Sequence, residues 1–254
     1  MKRMTFLFFC ILSGCIKDQD YNFSNIYNSE LNSITFSFSA DSLAADGNST
    51  AVINITILAK DSNDSLNSGL LNLNVSTSYG IFLDNSQASI NVVPTYKLDS
   101  TGSKRILTAQ ITLQSSVKSD TAKLKFKYLG VEKDTAIYFY KVYPEKIKLT
   151  ASSLFISPDF KTEDTIFAHQ SRMTGIPTLG NPVQVSAFDS GYQRKLGTFR
   201  IINNKSNSVG NAYFVYVLGD SALNFTNYFG TVNIIGSAPT NTSPVFDTLK
   251  IYSR

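Results

Sequence analysis

The sequence predicts an all-β protein of two tandem sandwiches. Three observations predict it. Apolar and polar residues alternate with period two along short runs, clusters of Asn, Asp, Gly and Ser separate those runs, and short motifs return in the same order after about 110 residues. No run shows the 3.6-residue apolar period of an amphipathic helix.

The first element is not part of the fold. Lys2 and Arg3 precede an almost wholly apolar run from Met4 to Leu12, the layout of a secretory signal. That run is far short of the roughly 20 residues a bilayer span needs. It ends in Leu12-Ser13-Gly14-Cys15, which resembles a lipoprotein cleavage motif, so residues 1–14 are expected to be removed and Cys15 to carry lipid. Residues 15–33 are rich in Asn, Ser and Asp without a clear period and read as a flexible tether with a reach of roughly 20–25 Å. Lys17, Asp18 and Asp20 follow the lipid site directly. They resemble the Lys-plus-acidic signal that sends some Gram-negative lipoproteins to the outer face of the outer membrane, and they equally suit a solvated linker.

Strands follow. Ile34, Phe36 and Phe38 alternate with polar residues, as do Ile53, Ile55 and Ile57, Leu71, Leu73 and Val75, and Leu107, Ala109, Ile111 and Leu113. Leu124, Phe126 and Tyr128 alternate with Lys123, Lys125 and Lys127. Each run implies one buried face and one wet face. Seven or so such strands in about 100 residues suggest an immunoglobulin-like sandwich. Ser42-Leu43 returns as Ser153-Leu154, Gly80-Ile81-Phe82 as Gly197-Thr198-Phe199, and Asp134-Thr135 as Asp247-Thr248. The reading is therefore two tandem immunoglobulin-like β-sandwich domains, residues 34–143 and 144–254, after a lipid-anchored tether. Pro144 marks the boundary because proline cannot continue a central ladder.

The first repeat resembles a known family. Ser42-Leu43-Ala44-Ala45-Asp46-Gly47-Asn48-Ser49-Thr50, the alternating Ile53, Ile55 and Ile57, then Asp61, Gly69, Leu71 and Ser78-Tyr79-Gly80-Ile81-Phe82 are similar to the bacterial immunoglobulin-like repeats of intimins and invasins. The second repeat departs from that pattern, since Pro158-Asp159-Phe160-Lys161-Thr162-Glu163-Asp164 takes the place of the Asp-Gly turn. The resemblance implies stalk or adhesin modules and no catalytic residues.

The chemistry of the chain points the same way. Cys10 leaves with the signal and Cys15 takes the lipid, so no disulfide and no cysteine metal site is expected. The formal charge of +4 falls to +2 without Lys2 and Arg3, which is not the footprint of a nucleic-acid binder. His169, the one histidine, suits a surface or structural role, because base catalysis needs a nucleophile and an orienting group beside it. No metal and no cofactor is expected. Asp61-Ser62-Asn63-Asp64-Ser65 lacks the glycine and glutamate of a helix-loop-helix calcium site and reads as an inter-strand loop. Lys123, Lys125 and Lys127 could attract anionic glycans or lipids, but the preferred reading is that they block edge-to-edge strand pairing. Tyr192, Tyr213, Tyr216, Tyr228 and Phe229 read mainly as core packing, and the chain has no tryptophan for a sugar platform.

Asp followed by Ser or Thr and then Ala, Leu, Ile or Thr occurs eight times, where composition gives roughly one or two. The sites are Ser42, Ser65, Ser100, Thr121, Thr135, Thr165, Ser221 and Thr248. They resemble an O-glycosylation sequon of some Gram-negative bacteria, and turn chemistry at strand starts also produces the pattern. The expected function is a non-catalytic surface module, adhesive or structural. It would be held to the outer membrane through Cys15 and would meet envelope or host surface proteins or glycans. The alternative is a glycan-binding accessory lipoprotein of an outer-membrane nutrient-uptake system.

Overall fold

The computed structural model describes residues 31–59, 72–98, 105–128, 130–219 and 228–254. Cys15, Lys17, Asp18, Asp20, Ser65, Ser100, Ser221 and the Asp61–Ser65 loop lie outside them. Among the described residues every regular element is a strand. None is a helix long and apolar enough to cross a membrane.

The first sandwich joins two sheets. One runs in the order β1 (Leu31–Phe38), β3 (Thr50–Ala59), β8 (Arg105–Gln114), β5 (Ile81–Phe82), with β7 (Thr95–Leu98) also paired to β8. The other runs β2 (Ser42–Ala44), β10 (Val131–Tyr140), β9 (Thr121–Tyr128), β4 (Leu73–Thr77), β6 (Ser89–Val92). The second sandwich repeats the plan. One sheet is β11 (Lys146–Ala151), β13 (Glu163–Ser171), β16 (Asn211–Val217), β15 (Thr198–Asn203). The other is β12 (Phe155–Ile156), β18 (Val245–Ser253), β17 (Gly230–Ala238), β14 (Gln184–Phe188). All pairings are antiparallel except β2 with β10 and β12 with β18. In both halves the chain lays its first strand in one sheet and then crosses to the other.

Burial follows the period-two pattern. Ile53, Ile55 and Ile57 of β3, Leu73 and Val75 of β4, and Leu124, Phe126 and Tyr128 of β9 are buried in one core. A second core holds Ile166, Ala168, Phe214, Tyr216, Val232, Ile234 and Ile251. Burying a side chain such as Phe126 stabilises the fold by roughly 1.5–3 kcal/mol. β1 begins at Leu31, so the strand starts inside the segment expected to be tether.

The register shows which anchors of the internal repeat are true equivalents. Gly80 and Gly197 are. Both have positive φ (81° and 65°), and a Cβ on either would sit 2.3 Å from a backbone carbonyl, Gln114 O or Val217 O. Glycine is the residue that fits there. The Ser-Leu pair is displaced by two. Leu43 is 5% exposed against Phe139, whereas Leu154 is 52% exposed and its place is taken by buried Ile156. The Asp-Thr pair is displaced by one. Tyr138 faces Ser42 as Tyr252 faces Phe155, which makes Thr248, not Asp247, the equivalent of Asp134.

The turn that seemed lost in the second repeat is present. Asp46 Oδ1 accepts from the N–H of Asn48 (2.9 Å) and Ser49 (2.7 Å), and Ser49 Oγ donates to Oδ2 (2.9 Å). Asp159 repeats this with Lys161 (3.0 Å), Thr162 (2.7 Å) and Thr162 Oγ1 (2.6 Å). Phe160 adopts φ 60° where Gly47 has φ 70°. A non-glycine residue pays roughly 1–2 kcal/mol for that conformation, and the three hydrogen bonds of the turn hold it.

Candidate binding surfaces

Among the described residues, the hydrogen bonds between the two sandwiches run through one loop. Residues 172–182 connect β13 to β14 and lie across the end of the first sandwich. The N–H of Ile176 donates to Asp46 O (2.9 Å), that of Thr178 to Val142 O (3.1 Å) and that of Leu179 to Val117 O (2.7 Å). Thr178 is buried; its hydroxyl donates to Ala45 O (3.1 Å) and accepts from Val142 N–H (2.8 Å). Asn181 is fully buried and its amide donates to Val142 O (3.0 Å) and Thr178 O (2.9 Å). Ser206 closes the network, donating to Thr178 O (3.2 Å) and accepting from Asn181 N–H (3.0 Å). Beside it Arg172 donates to Tyr143 O (2.6 Å) and pairs with Glu145 (3.5 Å). An open cavity of about 450 Å³ lies there, lined by Tyr143, Glu145, Arg172 and Thr240 to Ser243. The sequence held no signal for Thr178 or Asn181, because both sit in a run that reads as polar loop.

Lys123, Lys125 and Lys127 are exposed along β9. β9 lies between β10 and β4, so it is an interior strand and the lysines do not guard an edge. That preferred reading is corrected: they stand on the wet face of a five-stranded sheet. Lys127 pairs with Glu132 at 3.0 Å, and this hydrogen bond, with the charge of Lys127, holds the Glu132 carboxyl below its ordinary range. A second cavity, about 570 Å³, opens on the other sheet of the same sandwich and is lined by Asn54, Thr56, Thr95, Lys97, Thr108 and Gln110.

The aromatics of the second sandwich divide. Tyr216 is fully buried, its hydroxyl donates to Leu196 O (3.1 Å), and burial, with the nearby Tyr228, pushes its pKa up. Tyr228 donates to Thr231 O (2.8 Å). Tyr213 packs edge-on against Phe167 on the outer face, with ring centroids 5.6 Å apart. Tyr192 and Phe229 are exposed, so core packing does not account for them. His169 is exposed, and its Nδ1 is 2.7 Å from Asn211 Oδ1. Among the described residues no group of three or more His, Cys, Asp or Glu could hold a metal.

Five of the eight sequon hydroxyl residues are described. Ser42, Thr121 and Thr248 are exposed, and Thr135 and Thr165 are half-buried. Ser42 and Thr121 begin their strands, and Asp120 accepts from Thr121 N–H at 2.8 Å, as turn chemistry requires. Thr135 and Thr248 lie within β10 and β18, where strand-start chemistry does not apply.

No protein-family model matches the sequence, and no curated protein is similar to it at the level of sequence. Solved structures are similar in fold. The Yersinia pseudotuberculosis adhesin InvE aligns with a TM-score of 0.50 at 10% identity, over 89% of this chain and 61% of that one. Invasin, a bacterial integrin-binding protein, aligns with a TM-score of 0.54 at 16% identity, over 87% of this chain and 39% of that one. The chain thus spans less than two thirds of either. In fold it is all-β, a tandem of immunoglobulin-like sandwiches like those found in these bacterial adhesins.

Proposed function

We propose that this chain is a non-catalytic module of a bacterial cell envelope, adhesive or structural, tethered to the outer membrane by lipid on Cys15. One observation carries the reading. The alignments with the two adhesins cover 89% and 87% of this chain, so the likeness runs through both sandwiches, not one. The Lys17, Asp18 and Asp20 segment would direct the protein to the cell surface, where it would meet envelope or host proteins or glycans. The Asp-Ser/Thr sites would carry glycan. Residues 34–143 and 144–254 would be the two folding units. Sheet faces and loop ends supply the binding surface, and His169, whose side chain among the described residues meets Asn211, supplies no catalytic pair.

The test is membrane fractionation and intact-protein mass spectrometry from the native host, comparing wild type with Cys15→Ala. Wild type should fractionate with the outer membrane, carry acyl mass on Cys15 and hexose on several of Ser42, Thr121, Thr135, Thr165 and Thr248. Cys15→Ala should be released in soluble form. A mutant that stays membrane-bound would show that the anchor lies elsewhere. Hydrolytic turnover that disappears in His169→Ala would replace the binding reading with an enzymatic one.

A further inference from the structure

We infer that the outer face of the β2-β10-β9-β4-β6 sheet binds an acidic saccharide, one bearing carboxylate or sulfate groups. The inference deepens the binding reading above by naming a surface and a ligand class. Lys123, Lys125 and Lys127 alternate along β9, which spaces their Cα atoms about 6.6 Å apart in one row. Glu132 pairs with Lys127 and also feels the charge of Lys125, while neither Lys123 nor Lys125 forms an ion pair among the described residues. Across the ladder Lys123 faces Ala136 and Lys125 faces Asp134. Ala136 leaves the row open beside Lys123. On the other side lie Asn74, Ser76, Ser89 and Asn91, with Asn74 Nδ2 donating to Asn91 Oδ1 at 2.9 Å. Tyr138 and Tyr140 continue the same face of β10, 50% and 43% exposed.

These groups have complementary uses. Free ammonium groups recognise carboxylate or sulfate, Asp134 and the amides recognise sugar hydroxyls, and an exposed tyrosine ring covers the apolar face of a sugar. A surface meant only to repel other strands would need none of the tyrosines or amides. The second sandwich differs at this face. Matching Tyr138 to Tyr252 and Thr121 to Thr231 places Asn233, Ile235 and Ser237 where the first sandwich has the three lysines. There Asn233 is buried and donates to Asp189 O at 3.0 Å, and Ile235 and Ser237 are half-buried, so the first sandwich keeps this face open and cationic where the second covers it.

The test uses the full chain in detergent, titrated calorimetrically with oligogalacturonate (carboxylate), a heparin oligosaccharide (sulfate) and neutral cellohexaose. At least one acidic saccharide should bind, more weakly as salt rises, and cellohexaose should not. Lys123→Glu with Lys125→Glu should cost about tenfold or more in affinity, and Tyr138→Ala a smaller factor. All three positions are exposed, so folding should survive, and Lys148→Glu on the second sandwich should change nothing. The inference is overturned if neither acidic saccharide binds, if cellohexaose binds equally, or if Lys148→Glu loses as much as the double variant. Binding to anionic phospholipid vesicles alone would also overturn it. Cell-surface attachment that persists without saccharide binding would sink this inference and leave the adhesive reading intact.

Discussion

The two sandwiches share one topology and fill it differently. β3 places Ile53, Ile55 and Ile57 in the first core, opposite Ile111, Ala109 and Leu107 of β8. The equivalent strand of the second core, β13, offers Ile166, Ala168 and Gln170, and the missing volume is returned by Phe214 and Tyr216 of β16. The second half also buries polar groups that the first half does without. Asp164 stands where the first has Ala51, facing Tyr216 as Ala51 faces Leu113, and Gln170 stands in the place of Ile57. Asp164 Oδ2, Gln170 Oε1, Asn181 Oδ1 and Asn233 Oδ1 are buried without a hydrogen-bond partner among the described residues. Groups of that kind cost about 1–3 kcal/mol each. The comparison teaches that topology and a few backbone constraints are kept while core volume is free to move between strands.

The largest test of that comparison is at the constraint both halves keep. Gly80→Ala and Gly197→Ala each force a methyl to 2.3 Å from a carbonyl oxygen at positive φ. Each should destabilise its own sandwich by about 2–5 kcal/mol in denaturant melts. If either is tolerated, the two positions are not equivalent. A smaller effect separates independence from mutual support. Thr178→Val strips Val142 N–H of its acceptor and Ala45 O of a donor, and should cost about 1–3 kcal/mol. It should also broaden the distance between spin labels placed on the two sandwiches. Residues 34–143 alone, with their apolar core, should still melt cooperatively; a molten fragment would make the tandem a single folding unit.

The smallest effect distinguishes the twin turns. The hydroxyl of Thr162, then the N–H groups of Thr162 and Lys161, lower the Asp159 carboxyl from 3.8 to about 2. Asp46 is lowered as well, but there burial pushes upward and its hydrogen bonds must outweigh that. Because the folded pKa of Asp159 is depressed, its stabilising contribution is present above about pH 3.8 and is lost as pH falls through about 2. Carboxyl NMR should show Asp159 titrating near 2. A midpoint at the ordinary value would mean the turn is not held in solution.

Strand faces were legible because alternation is a local signal, and Leu124, Phe126 and Tyr128 are buried as their spacing requires. The repeat was legible as a period but not as a register. Ser-Leu and Asp-Thr are common pairs that drift by a residue or two, whereas the glycines are fixed by a carbonyl. The second turn was missed because Gly47 became Phe160; the remaining signal was aspartate with a hydroxyl residue three positions on, as in Asp46 to Ser49 and Asp159 to Thr162. Gln170 and Asp164 could not be seen as core, since a polar residue at a buried position breaks the very alternation that reveals a strand. The role of the lysine row was misjudged because strand order, not sequence, decides which strand is an edge.

The parallel pairing of β2 with β10 has a mechanical consequence. The chain enters the first sandwich along β1 and β2 and leaves along β10, toward the second. If the protein is held at its N-terminus and pulled from the far end, β2 and β10 are drawn in opposite directions along their own axes. The hydrogen bonds between them, and those from β1 to β3, are then loaded side by side and must fail together, not one after another from an end. β12 and β18 repeat the arrangement in the second sandwich. A short parallel patch of two or three residues thus shares with the first strand's longer pairing the force at which each sandwich would yield.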